Sequence, residues 1–454
     1  MNAFRRVSVL LPIALIALAG CALRPAGEDA ERQRAADAGR PFTDTVVLRP
    51  FPANPTPEDY LNIAFLRNAD LHERYWEWRA AIERIPQDSS FPNVALPFST
   101  MFSGGSRDVA GEGMQKLWNR TTLGLSNDPM SDIPFPTKLS TAGRKALQEA
   151  RAAGLRFEAA KFLLQLRVLS TCDDLALLAE TIRLRQADVE LLRLLVRLAA
   201  VRAQTGGGQP DILKAQTSLD MAENELSNLR TQVAAADAKL NALLGRPATD
   251  PAPLPASLPP LRPLPVSDAD LIRLGSERSP ALQALAREVA GKEEALALAK
   301  QAYLPDFGLS LSVTGSIAQT LGGMLVLPTR LEAIRAGIEE ARANLQAAAA
   351  ARTQYERDLA ASFVLNLYAL RNDDRQIKLF EETIIPRVRQ MIELAQNSYS
   401  TGAIPFADLV EAERELLNAR LVTAQLIVER DKALLAIESW SAVDAEAMVP
   451  RSAN

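Results

Sequence analysis

LALLAETIRLRQADVELLRLLVRL, residues 175–198, carries two apolar stripes at helical spacing. The first stripe follows a heptad pattern, interrupted by Arg185, and consists of Leu175, Leu178, Ile182, Val189, Leu192 and Val196. The second stripe lies on another face and consists of Leu184, Leu191, Leu195 and Leu198. A heptad repeat lets a helix supercoil around a partner, and a second apolar face requires a second neighbour. This stretch therefore predicts a wall of coiled helices rather than a lone hairpin.

The helical pattern around this stretch is very long. Only Gly154 interrupts it between Lys138 and Gln204, and at 1.5 Å per residue it would span ~100 Å. A second pattern from Arg330 to Ser400 is similar in length, and Pro386 is expected to bend it. The shorter helical patterns are Tyr60–Arg84, Pro210–Leu244, Asp268–Tyr303 and Phe406–Ser439. Two of these stacked end to end match one long helix, so we predict a helical rod with junctions midway.

The chain repeats one plan with a period of roughly 200 residues. Each copy reads as helix, short strand pair, very long helix, sharp turn and helix. The turns match best: residues 205–216 read TGGGQPDILKAQ and residues 401–412 read TGAIPFADLVEA. Glycine, proline, aspartate and alanine recur in order if one residue is inserted. The second long helix also carries a heptad stripe, made of Leu331, Ile334, Ile338, Ala341, Leu345 and Ala348.

Short strands precede each long helix. Apolar and small polar residues alternate from Phe307 to Thr314, which predicts a half-buried strand, and Leu321–Leu327 would return beside it. The first copy offers Val94–Phe102 and Thr121–Ser126. Open sheet edges do not survive in lipid, and four short strands cannot close a barrel. If these strands enter a membrane, several copies of the chain must pool them.

These patterns divide the chain. Eight prolines between Pro247 and Pro265 exclude a helix or a central strand there and predict an extended connector. The predicted parts are a signal peptide (1–20), an acylated, extended N-terminal segment (21–56), a first repeat (57–246), the connector (247–267), a second repeat (268–441) and a C-terminal tail (442–454).

The N-terminus has the features of a lipoprotein leader. Arg5 and Arg6 precede an apolar run, residues 7–18, that ends in LAGC, residues 18–21. A positive start, a short apolar stretch and small residues at the cut define a secretory signal. We predict that Cys21 becomes the acylated N-terminus, and by resemblance to bacterial lipoproteins Ala22 favours the outer membrane. An ordinary cleaved signal with a coincidental cysteine is the alternative.

The composition supplies little for catalysis. His72 is the one histidine, Cys172 is the one cysteine after the leader, and no nucleophile elbow or phosphate loop is present. One imidazole and one thiol cannot close a metal site built on such ligands, and we predict no metal, no cofactor and no enzymatic activity. An enzyme that acts through His72 or a carboxylate is the alternative. The formal charge of −4 gives no basic footprint for nucleic acid.

Taken together, these features show that the chain resembles the TolC family of outer-membrane efflux proteins. It is most similar to the lipoprotein branch, which includes heavy-metal and drug efflux subunits. The resemblance is carried by residues 399–402 (YSTG), 408–412 (DLVEA), 416–419 (LLNA), 133–139 (IPFPTKL) and 303–305 (YLP). Each motif alone is weak, but their order over the whole length, with the internal repeat and the lipoprotein leader, makes the assignment specific.

The resemblance implies a mainly α fold with a small β part. Three chains would form a long α-helical coiled-coil barrel and a short 12-stranded β-barrel. The implied function is an outer-membrane efflux duct that works passively with a periplasmic adaptor protein and an inner-membrane RND-type pump. The predicted strands of about eight and seven residues are shorter than the nine to eleven of a tilted membrane strand. A trimeric periplasmic scaffold lipoprotein with a truncated, non-conducting β end is therefore the alternative.

The resemblance also implies two sets of site residues. In relatives, carboxylates matching Asp408 and Glu411 line the periplasmic gate, and their i, i+3 spacing puts them on one helix face. A trimer would thus carry six acidic groups at a constriction, which attracts cations. The alternative is that Asp408 simply favours a helix N-terminus through the dipole. The adaptor-docking tip would contain Gly206, Pro210, Asp211, Tyr399, Gly402 and Pro405, and its two glycines would form left-handed turns.

Overall fold

Helices make up most of the computed structural model, which describes residues 22–43, 55–101, 120–127, 133–204, 209–251, 253, 255, 257–262, 267–315, 318–401 and 403–442. The helices are α1 (Glu28–Thr43), α2 (Pro57–Arg67), α3 (Ala69–Ser89), α4 (Pro136–Gln204), α5 (Gln209–Leu244), α6 (Asp268–Arg278), α7 (Pro280–Lys300), α8 (Leu331–Leu379), α9 (Ile385–Ser400) and α10 (Phe406–Ser441). The described residues include no helix that is both long and apolar enough to cross a membrane.

The chain folds into two compact units, and each contains parts of both repeats. Unit 1 is built from the stretch up to residue 39 and from residues 75–155 and 283–354. Unit 2 is built from residues 40–74, 156–282 and the stretch from 355 onward. The compact units therefore do not follow the boundaries of the predicted repeats.

Two of the predicted half-length helices are interrupted. Asn68 separates α2 from α3: its side chain accepts from the N–H of Leu71 at 3.1 Å and donates to the carbonyl of Leu243 at 2.9 Å. Ser279 separates α6 from α7 and accepts from the N–H of Leu282 at 3.4 Å. Both residues satisfy N–H groups that a new helix start leaves without helical partners.

The second long helix is also interrupted, close to the predicted bend. A π turn, Phe380–Ile384, joins α8 to α9, and Pro386 follows in the first turn of α9. Proline has no N–H, and its ring clashes with the carbonyl four residues earlier in a regular helix. The π turn interrupts the regular hydrogen-bond ladder directly before this proline, and the N–H of Ile385 donates to the carbonyl of Phe380.

The N-terminal segment differs from the predicted extended chain, because Glu28–Thr43 is the helix α1. Its first turn contains three acidic residues, which the helix dipole favours. Glu31 is buried and accepts from the indole N–H of Trp78 at 3.0 Å. A contact with a residue far along the chain thus stabilises a helix whose own sequence is mostly polar.

The described strands form one antiparallel sheet in unit 1. The strands are β1 (Val94–Ala95), β2 (Phe98–Thr100), β3 (Thr121–Asn127), β4 (Asp306–Thr314) and β5 (Ala318–Val326). Their order is β1–β3–β4–β5, with β2 also paired to β3. The predicted strand Val94–Phe102 is split because Pro97 cannot donate to the ladder. The Pro97 carbonyl instead accepts from the N–H of Gly124 at 2.8 Å.

The core of unit 1 forms where α1, α3 and α4 meet. Tyr75 and Trp78 of α3 are almost fully buried. The Trp78 ring crosses α4 at Gly154, where an added Cβ would lie 2.7 Å from ring atom Cε2. A residue with a side chain would not fit, which explains the glycine within this long helix.

In unit 2 the proline-rich connector is held against helices. The hydroxyl of Tyr60 donates to the carbonyl of Pro253 at 3.1 Å, and the amide of Asn241 donates to the carbonyl of Asp250 at 2.6 Å. Cys172 packs as a small buried residue, and burial raises its thiol pKa to about 12. Such a thiol is inert at neutral pH.

Candidate functional site

The sheet of unit 1 has two chemically different faces. The register pairs Leu123 with Val313 and Leu311 with Leu321, so these side chains share one face. Serine, threonine and glycine occupy the opposite face of β3 and β4: Thr122, Gly124, Gly308, Ser310, Ser312 and Thr314. β5 follows less strictly, with Gln319 on the apolar face and Met324 on the polar one. Between Phe307 and Val326 the described strand residues carry no charge.

The apolar face is exposed in the single chain. Leu321 and Leu325 are more than half exposed, and Phe98 at the edge is 76% exposed. On the polar face, the hydroxyls of Thr122 and Thr314 are 2.8 Å apart across the strands. A sheet with an exposed apolar face and internally bonded hydroxyls suits a boundary between lipid and water.

Two of the sequence motifs meet where the sheet joins the helices. Ile133 and Phe307 exchange two backbone hydrogen bonds, of 2.7 and 2.9 Å. The ammonium of Lys138 donates to the carbonyl of Leu304 at 2.8 Å and to Oδ1 of Asp306 at 2.7 Å. The Lys138–Asp306 ion pair is largely enclosed and fixes the start of β4 on the first turn of α4. The structure thus gives a physical reason for both motifs.

The predicted lipid attachment residue, Cys21, lies outside the described residues, but its neighbour does not. Ala22 forms a bridge with Ser90 at the end of α3, and the N–H of Leu23 donates to the carbonyl of Ser89 at 3.0 Å. Ser90 precedes β1 by only a few residues. The chain after Cys21 is therefore tied to the segment that leads into the sheet.

The helix ends of both repeats pack together in unit 2 and form a tip cluster. Its buried members are Val189, Leu192, Leu195, Ala199, Ala215, Ala222, Leu226, Tyr399, Leu409 and Val410. They come from α4, α5, α9 and α10, so the predicted wall of helices is present here. Both stripes of α4 contribute, which explains why residues 175–198 carry two apolar faces.

The predicted docking residues are distributed around this tip cluster. Tyr399 is 3% exposed and belongs to the cluster itself. Pro210 and Asp211 lie in the first turn of α5, and Pro405 is the exposed N-cap of α10, with φ −70° and ψ 157°. Gly206 and Gly402 lie outside the described residues.

The predicted gate carboxylates stand on the first turns of α10. Asp408 and Glu411 are both exposed in the single chain, one turn apart. The N–H of Asp408 donates to the carbonyl of Pro405 at 3.2 Å, which fixes the helix start. Both carboxylates are thus held on a rigid element and remain accessible.

Sequence reasoning missed a charged network beside the tip cluster. Arg185 of α4 forms ion pairs with Glu225 of α5 at 2.9 Å and with Asp188 at 3.8 Å, and Arg414 of α10 donates to the hydroxyl of Ser218 at 3.2 Å. Burial raises the pKa of Asp188 despite the attraction of Arg185 and Arg414. The interruption of an apolar stripe by Arg185 was the available signal.

Comparisons with known proteins agree with this geometry. Residues 271–441 match the family model of the outer membrane efflux proteins. Among curated protein sequences, none matches the chain. The outer-membrane channel OprN superposes with a TM-score of 0.71 at 19% identity, over 94% of this chain and 98% of OprN. CusC gives 0.70 at 16% identity, over 93% and 99%. The outer membrane protein VceC from Vibrio cholerae gives 0.70 at 18% identity, over 85% and 96%.

The fold is therefore that of an outer-membrane efflux channel, mainly helical with a small antiparallel sheet. Residues 271–441 thus match the outer membrane efflux protein family, and the described chain as a whole has the TolC-like fold.

Proposed function

We propose that the protein is a passive export duct of the outer membrane that conducts substrate received from a periplasmic adaptor and an inner-membrane pump. The observation that carries this proposal is the sheet, which has one apolar and one hydroxyl-bearing face and no charge in its described strand residues between Phe307 and Val326. An apolar face suits lipid, and Ser310, Ser312 and Thr314 would line a water-filled passage. The duct performs no chemistry, and the partner pump supplies the energy.

A homotrimer would complete the duct. The first half of α8, residues 331–358, has no fully buried side chain, although it carries the second heptad stripe. Leu331 is 47% exposed, and Ile334 and Ile338 are only partly covered. A heptad stripe that its own chain leaves open favours a helix of another copy as its partner. The open edges of the sheet make the same demand, because lipid tolerates only closed barrels.

The lipid anchor belongs to the same proposal. An acylated Cys21 would hold the chain at the membrane surface, and the Ala22–Ser90 bridge would place it beside the segment leading into β1. Mass spectrometry of the N-terminal peptide tests this directly. Acylation of the natural protein and its loss in Cys21→Ala are expected, whereas acylation that persists would assign the anchor elsewhere.

The scaffold alternative rested on short strands. β4 and β5 each contain nine residues, which reaches the lower end of the length of a tilted membrane strand. These lengths favour the duct, while a scaffold would insert without conducting.

Conductance of the lipidated protein in planar bilayers tests the duct. We expect discrete channels that multivalent cations block from the periplasmic side. If the trimer inserts but never conducts, even after its gate carboxylates are neutralised, the result would contradict the duct and favour the scaffold.

The gate is tested in the same bilayers. Asp408→Ala with Glu411→Ala should raise conductance and weaken cation block, because up to six negative charges leave the entrance. The matched control, Glu73→Ala with Glu356→Ala, removes the same charge from exposed positions elsewhere. If the two double variants behave alike, Asp408 and Glu411 do not line the entrance.

The tip docking residues Pro210, Asp211 and Pro405 would bind the adaptor.

A further inference from the structure

Two carboxyl groups of unit 2 are buried against each other. Asp173 lies on α4 and Asp431 on α10, and they are 8% and 6% exposed. Their side chains are within hydrogen-bond reach of each other. No donor among the described residues reaches Oδ2 of Asp173, although that atom is enclosed. Two carboxylates cannot bond to one another, so this contact requires a proton.

The cations around the pair are engaged with other acidic groups. Arg262 of the connector contacts Oδ1 of Asp431 at 3.2 Å and Oε1 of Glu438 at 2.9 Å. The ammonium of Lys432 forms an ion pair with Asp174 at 2.6 Å. The remaining charged groups have these contacts: Lys239 pairs with Asp174, Lys432 also meets Glu429, and Arg430 binds Asp374 and the carbonyl of Arg262.

One guanidinium therefore faces three enclosed carboxyl groups: Asp173, Asp431 and Glu438. Arg262 and Lys432 both attract the charged form of Asp173, but Arg262 is paired with Asp431 and Glu438 and Lys432 with Asp174 and Glu429. Among the described residues Asp173 therefore has no ion pair of its own. Burial, followed by the negative charge of Asp431, raises the pKa of Asp173 to about 8. Burial and the neighbouring negative charge thus favour the protonated form of Asp173.

We propose that Asp173 and Asp431 share one proton and form a proton-dependent clamp between α4 and α10. The first helix belongs to the first repeat and the second closes the last repeat, so the clamp joins the two copies. Arg262 adds the connector as its third member. When Asp173 loses its proton, two buried carboxylates face each other, and repulsion loosens the joint. The clamp is independent of conduction and can be tested without it.

Infrared spectroscopy of the full-length lipidated protein gives the direct test. The C=O stretch of a protonated carboxyl should be present at pH 6, disappear by about pH 9.5 and be absent from Asp173→Asn. The difference spectrum between natural protein and variant isolates this group from other buried acids. A difference spectrum without that band at pH 6 would overturn the proposal.

Thermal unfolding gives the second test. The raised pKa means that the folded protein holds up to one more proton than the unfolded chain between about pH 4 and 8, so this group lowers stability as pH rises through that range. The amide introduced by Asp173→Asn mimics the neutral acid and does not titrate. The natural protein loses stability as pH rises and the variant does not, so the Tm of the variant minus the Tm of the natural protein should increase from pH 6 to pH 9. The exposed control, Asp220→Asn, should give a constant difference. If the Tm difference of Asp173→Asn is equally independent of pH, the clamp is refuted.

Asp431→Asn keeps the test decisive if Asp173→Asn does not fold. Without the facing carboxylate Asp173 should ionise more readily, so its infrared band should vanish at a lower pH than in the natural protein. A band whose pH midpoint does not move would rule out coupling between the two groups.

Discussion

Gly154 shows how one residue depends on a distant one. The helical pattern of α4 predicts only that a glycine is tolerated there, yet the side chain of Trp78 requires it. Trp78 lies on another helix far earlier in the chain, and periodicity within α4 contains no information about that contact.

We expect Gly154→Ala to destabilise the protein by about 1–3 kcal/mol, because overpacking a tight core forces neighbouring groups to shift. Gly337→Ala is the matched control, since a Cβ at Gly337 meets nothing within 4 Å in the same unit. That change should stabilise α8 by about 0.5–1 kcal/mol through helix propensity. Chemical denaturation measures both, and equal effects would contradict the packing assigned to Trp78.

At the scale of the element, local signals succeed and long-range ones fail. The alternation from Phe307 to Thr314 predicts β4 because side chains alternate along a strand. The interruption at Asn68 was missed because its amide is bonded to the carbonyl of Leu243 in α5. A contact between two helices that are far apart in the sequence leaves no trace in the residue spacing of either helix.

The two faces of β5 give the element-scale prediction. Leu321→Arg puts a charge on the apolar face, which should cost roughly 2–4 kcal/mol near the middle of a bilayer. Thr320→Arg, one residue away, puts the same charge on the opposite face and should cost much less. Urea titration of folding into lipid vesicles measures the difference. Equal costs would mean that the apolar face does not meet lipid.

At the scale of the whole molecule, periodic patterns predicted a mainly helical fold with a small β part, and the resemblance of the motifs implied the TolC-like architecture. The division into two repeats stays a prediction. Which stretches of the chain make up each compact unit could not be predicted from the sequence. Each unit draws on both copies, and the assignment of stretches 75–155 and 283–354 to one unit depends on packing between helices. The gate and docking residues remain predictions from resemblance.

Self-association gives the whole-molecule prediction. Ile338→Asp puts a charge into the open heptad stripe of α8 and should shift the proposed trimer towards monomer, since each interface loses roughly 1.5–3 kcal/mol of apolar burial. Ala336→Asp introduces the same charge at an exposed position outside the stripe and should leave the trimer intact. Native mass spectrometry reports both. A trimer unaffected by Ile338→Asp would assign the interface to another surface.

The π turn Phe380–Ile384 sets the angular phase of everything that follows it in the helix. A π turn holds one residue more than an α turn, and one residue corresponds to about 100° of rotation. The apolar side of α9 is therefore offset from the pattern that α8 would have continued. Tyr399 of α9 lies in the tip cluster downstream of this offset, so a single extra residue enters the rotational phase of the helix that leads into the last hairpin.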